Sequence, residues 1–107
     1  NDLVLISSGC PGNQFGIFYY GAGAAEMPLG NGYRCVGSGG VGLFRFSQIN
    51  TGSSGTAQMA LDNTSPPQAS GQITSGTTWH FQFWYRDPVA GGANFNLSDA
   101  LGVSFCP

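Results

Sequence analysis

Glycine or proline interrupts every stretch of this chain long enough to carry an amphipathic helix, with eighteen glycines and six prolines spread over 107 residues. What the punctuation leaves is short extended runs separated by turn residues. Disorder is the other outcome open to a glycine-rich chain, but disordered chains are poor in aromatics and rich in charge, whereas this one is 13% aromatic and only 7% charged. The pattern predicts strands at Asp2 to Ser8, Gln14 to Tyr20, Tyr33 to Val36, Val41 to Ile49, Thr56 to Leu61, Thr78 to Arg86 and Leu101 to Cys106. Gly30-Asn31-Gly32 and residues 37–40 read as tight turns, and Pro66, Pro67 and Pro88, which lack the ladder donor, mark loops. Ala22 to Met27 is expected to make one helical turn at most. The expected fold is all-β, a single β-sandwich or jelly roll of about seven short antiparallel strands in one module over residues 1–107.

Charge excludes several functions. Lysine is absent and the cations are Arg34, Arg45 and Arg86, so there is no basic patch to neutralise a run of phosphates, and nucleic acid is excluded as a partner. The acids Asp2, Glu26, Asp62, Asp87 and Asp99 are scattered singly. No apolar run reaches the roughly 20 residues of a membrane helix, so no membrane insertion is expected. No basic segment precedes an apolar one as in a signal peptide, and the chain reads as a mature fragment of a longer secreted protein. A surface made polar by Ser, Thr, Asn, Gln and Gly favours an extracellular, oxidising setting. Cys10, Cys35 and Cys106 then allow three pairings, which spacing alone does not rank.

Catalytic and metal chemistry find little to work with. His80 is the one histidine, so neither a Ser-His-Asp triad by the usual route nor a multi-histidine metal site can be built without help, and a polar residue on the non-core face of a strand is the simpler reading of it. Asp87 and Asp99 flank a glycine-rich loop that can bring them together, but turn formation with Pro88 and local backbone bonds beside Ser98 account for them more simply. The run at residues 37–40 lacks the lysine and helix of a phosphate loop. No catalytic residue, metal or cofactor is assigned, and an enzyme, as a hydrolase, is the most distant of three readings.

Binding and assembly have better support. In Thr78 to Arg86, strict alternation sends Trp79, Phe81, Phe83 and Tyr85 to a core face and His80, Gln82, Trp84 and Arg86 to the other. An exposed Trp84 flanked by Gln82, His80 and Arg86 would make a sugar-binding platform, with polysaccharide as the partner. On this reading Gln82→Ala costs well under half of what Phe81→Ala costs. The four consecutive apolar residues Leu3, Val4, Leu5 and Ile6 exceed what a one-sided strand hides, so the strand is either central in its sheet or covered by another copy or a neighbouring domain of the longer chain.

Several blocks together, Asn13-Gln14-Phe15-Gly16, Arg34-Cys35-Val36-Gly37, Trp79 to Pro88, Phe95-Asn96-Leu97-Ser98-Asp99-Ala100-Leu101 and Phe105-Cys106-Pro107, resemble an uncharacterised domain at the C-terminal end of large secreted bacterial proteins. The resemblance spans nearly the whole chain and implies an extracellular accessory module at the cell surface. It also implies a disulfide between Cys35 and Cys106, which fall inside the motifs, with Cys10 outside that bridge. The leading expectation is a non-catalytic structural or assembly module for surface attachment or fibre-type packing through strand edges, with carbohydrate binding second.

Overall fold

The computed structural model of the chain describes residues 3–62 and 65–105. It is all-β and consistent with a β-sandwich, with nine strands among the described residues where about seven were expected. They are β1 (Val4–Ser7), β2 (Phe15–Gly21), β3 (Gly23–Leu29), β4 (Gly32–Gly37), β5 (Leu43–Asn50), β6 (Ala57–Ala60), β7 (Thr78–Arg86), β8 (Phe95–Leu97) and β9 (Leu101–Ser104). Asp2, at the start of the first expected strand, and Cys106 lie outside the described residues.

The central sheet runs β5-β2-β7-β8, and every pairing in it is antiparallel. One edge of β7 is shared by two short strands, β9 against Thr78 to Phe81 and β8 against Trp84 to Arg86. Between them Phe83 would lose its ladder partner. Ser98 fills the gap, because its N–H donates to the Phe83 carbonyl at 2.9 Å and its Oγ accepts from the Phe83 N–H at 2.9 Å.

One face of this sheet carries the aromatic core. Tyr20 packs against Phe44, Phe46, Trp79 and Phe81 with ring centroids 5.2–5.4 Å apart. Its hydroxyl donates to the Gly71 carbonyl at 2.5 Å, which ties the short 3-10 turn Ala69–Gly71 over the rings and satisfies a phenol that burial would otherwise penalise. The two-stranded sheet β1-β6 also contributes to this core, through Leu5 and Ala57. The expected core face is therefore confirmed at Trp79, Phe81 and Phe83, with Tyr85 half-buried at its end.

The other face is covered in part by the β3-β4 hairpin, which the sequence reading missed. Ala22 to Met27 forms no helical turn. It runs into β3 and pairs with β4 across a turn at Gly30, whose φ of +58° suits a residue without Cβ. Pro28 is tolerated because, among the described residues, β3 pairs with β4 alone, leaving one side where the missing N–H breaks no ladder. Phe95 to Leu97, expected as loop, is drawn into β8 by pairing with Trp84 to Arg86.

Two substitutions test this packing. Phe83 is fully buried, so Phe83→Ala should cost about 3–5 kcal/mol in urea denaturation. A Cβ on Gly16 would overlap the Phe83 ring and the Trp84 carbonyl, so Gly16→Ala should destabilise by roughly 1–3 kcal/mol although it adds only a methyl group. A neutral result at either position would contradict the described contact between β2 and β7.

Candidate functional site

The site begins with β7, whose second face is not a free surface. Gln82 was expected to be exposed, but it is only 2% exposed, because β4 lies across it. All four of its hydrogen-bonding capacities are used. Oε1 accepts from the Tyr19 hydroxyl at 2.5 Å and from the Cys35 N–H at 2.9 Å, while Nε2 donates to the carbonyls of Tyr33 at 2.9 Å and Ser98 at 2.6 Å. One amide thus joins β2, β4, β7 and the turn after β8. At the hairpin tip Asn31 makes a second tie, with its N–H donating to the Phe95 carbonyl, its Nδ2 to the Gly91 carbonyl and its Oδ1 accepting from the Ala93 N–H.

This clamp divides the expected sugar platform. His80 and Trp84 lie about 13 Å apart along the strand, and the hairpin is seated on Gln82 between them. Arg86 is exposed at the end of β7, opposite Phe95. The four residues share a face, as alternation requires, but they do not converge on one ligand.

Trp84 instead enters a different grouping. Together with Ile17, Tyr19, Leu29, Leu43, Phe95 and Leu97 it lines an open cleft of about 370 Å³ between the central sheet and the hairpin. Trp84 and Phe95 pack with ring centroids 5.4 Å apart. Arg34 from β4 and Arg45 from β5 complete the lining, so two of the three cations of the chain meet here. Alternation along β5 puts Arg45 on the face opposite Phe44 and Phe46. No local signal could bring Arg34, Arg45 and Trp84 together, since that depends on the hairpin folding back over the sheet.

A second groove, about 240 Å³, runs beside β1. Its lining includes Leu5 to Ser8, the core rings Phe18, Phe81 and Phe83, and Ser98, Asp99 and Leu101. Among the described residues β1 pairs with β6 alone, and the apolar residues it carries are resolved by simple alternation: Leu5 is 3% exposed, whereas Val4 and Ile6 are 46% and 63% exposed. Leu3 is half-buried and packs against the core.

Cys10 and Cys35 are free thiols, and the expected partner of Cys35, Cys106, lies outside the described residues. The Cys10 Sγ sits 3.5 Å from the Ser7 hydroxyl.

Two predictions follow from the Gln82 clamp. Gln82→Ala should cost about 3 kcal/mol or more, comparable with Phe81→Ala, because it strands a buried N–H, a hydroxyl and two carbonyls. A loss below half that of Phe81→Ala, measured side by side in urea, would remove the clamp from the account. The second concerns alkaline pH. Burial pushes the Tyr19 hydroxyl from 10.0 up to about 12, with the Arg34 charge opposing and Cys35 adding to the rise. The unfolded chain then ionises near pH 10 while the folded one holds its proton, so the contribution is complete below pH 10 and is lost between 10 and about 12, on the order of 2–3 kcal/mol. Burial raises Tyr20 and Tyr85 in the same direction. Tyr19→Phe should therefore show a shallower fall in urea midpoint across that interval, and an unchanged slope would contradict the assignment.

The chain matches no protein-family model, no curated protein and no solved structure.

Proposed function

We propose that the chain is a non-catalytic extracellular structural module whose copies join by pairing strands along β1. The observation that carries this reading is the unpaired edge of β1 beside a groove floored by core aromatics, with Val4 and Ile6 projecting from the same strand. A row of unmatched N–H and carbonyl groups is a template for a strand from another chain. Stable monomers guard such edges with lysine, proline or inward charge, and β1 (Val4–Ser7) contains none of these. Pairing β1 with its counterpart in a second copy would continue the two-stranded sheet into four strands and set Val4 and Ile6 against apolar cross-strand neighbours on the same face.

The extracellular, cell-surface setting belongs to the same proposal and rests on the uncharged polar composition and the motif resemblance. Carbohydrate binding through Trp84 keeps its ring, but with Gln82 buried under the hairpin and His80 separated from Trp84 it retains Arg86 alone of the three polar groups expected to orient a sugar.

The test is sedimentation of the intact chain and of a Val4→Lys, Ile6→Lys variant at low and high salt. The intact chain should associate at about 100 μM, a typical weak-interface range, and be insensitive to salt because no charge pairs are involved. The variant should be monomeric with an unchanged thermal midpoint, since both side chains already face solvent. An intact chain that stays monomeric, or a variant that associates equally well, would overturn the proposal.

A further inference from the structure

The cleft beside Trp84 holds a combination that strand pairing does not explain. Among the described residues the Arg34 Nε is buried without a hydrogen-bond partner, and its guanidinium makes one polar contact, from Nη2 to the Met27 Sδ at 3.1 Å, a weak acceptor for a full charge. Arg45 lines the same cleft, and among the described residues no acidic side chain lines it. Two cations at one cavity without a carboxylate leave its electrostatics incomplete. An oxyanion would complete it, since guanidinium forks bind planar carboxylates in bidentate fashion.

The remaining walls select the body of that anion. Ile17, Leu29, Leu43 and Leu97 are aliphatic, and Trp84 and Phe95 present packed rings. The Tyr19 hydroxyl is already committed to Gln82, and beside it the lining side chains offer one further polar group, the Trp84 indole N–H, a single donor. A sugar needs several oriented donors and acceptors, and the lining side chains supply no free acceptor and, besides the two guanidinium groups, a single indole N–H. From this geometry we propose that the cleft binds a small carboxylic acid with an apolar, ring-bearing body, its carboxylate held by Arg34 and Arg45 and its ring against Trp84 and Phe95.

The experiment titrates the intact chain with 4-phenylbutyrate, with its neutral amide 4-phenylbutyramide and with glucuronate, following the Trp84 indole N–H by two-dimensional NMR and the affinity by calorimetry. The Trp79 indole, which donates to the Thr77 hydroxyl at the far end of β7, serves as the internal control. Phenylbutyrate should shift the Trp84 signal and leave Trp79 unmoved. The amide should bind about tenfold more weakly, the worth of a charge-assisted bidentate contact. Arg34→Gln and Arg45→Gln should each weaken phenylbutyrate by about fivefold or more while leaving the amide unchanged, and raised salt should weaken the acid alone. Equal binding of acid and amide would overturn the anion assignment. Preference for glucuronate over phenylbutyrate would overturn the apolar one, and no Trp84 shift up to about 10 mM acid would remove the site.

Discussion

The second layer of this fold depends on one side chain, the Gln82 amide. A primary amide offers two donors and two acceptor directions, and here all are used, on three other elements: β2, β4 twice, and the turn after β8. Buried amides are costly when half-satisfied and specific when fully satisfied, so the four partners fix where the β3-β4 hairpin lands and in what orientation. Val36, fully buried beside Tyr19 and Leu97, supplies the apolar contact that the amide network positions. Asn31 repeats the device at the tip, binding the hairpin to the 87–95 loop through its backbone and both polar side-chain atoms.

The cleft follows from the hairpin's placement. Its body crosses the sheet at Gln82 and Tyr19, leaving Trp84, Phe95 and Leu97 on one side and His80 on the other. Arg34 arrives from the hairpin and Arg45 from the sheet, so the pairing of charges belongs to the layered structure and to neither layer alone. The aromatic core on the opposite face is organised differently, around a tyrosine ringed by four other aromatics with its hydroxyl capped by Gly71. One sheet therefore carries a dry apolar face and a face where polar bonds decide the geometry.

Much of the first face was legible in the sequence, because alternation over Thr78 to Arg86 is a local property that the pleat enforces. The strand bounds there agree with the structure residue for residue. The second face was not legible for a physical reason: alternation separates two faces but does not say which is covered. Gln82 reads as a surface residue, and only its four distant partners reveal it as buried. Ala22 to Met27 was misread because Pro28 and the small residues around it hide a hairpin whose signal is its turn, Gly30-Asn31-Gly32, which was itself recognised. In the apolar run at Leu3 to Ile6, consecutive hydrophobicity allowed a central strand or one covered by another chain, and the structure excludes the central place: it buries Leu5, half-buries Leu3 and leaves Val4 and Ile6 projecting from a strand at a sheet edge. Arg34 and Arg45 lie eleven residues apart, yet their meeting depends on a crossover that no window of sequence contains.

The central claim is that Gln82 holds the hairpin to the sheet, and native-state hydrogen exchange reads it directly. The Cys35 N–H, which donates to Gln82, should exchange as slowly as the β2 and β7 amides in the intact chain. In Gln82→Leu, which keeps the volume but not the bonds, protection should collapse across β3 and β4 while β2 and β7 keep theirs. A Cys35 amide that exchanges freely in the intact chain, or a hairpin equally protected in the variant, would contradict the account.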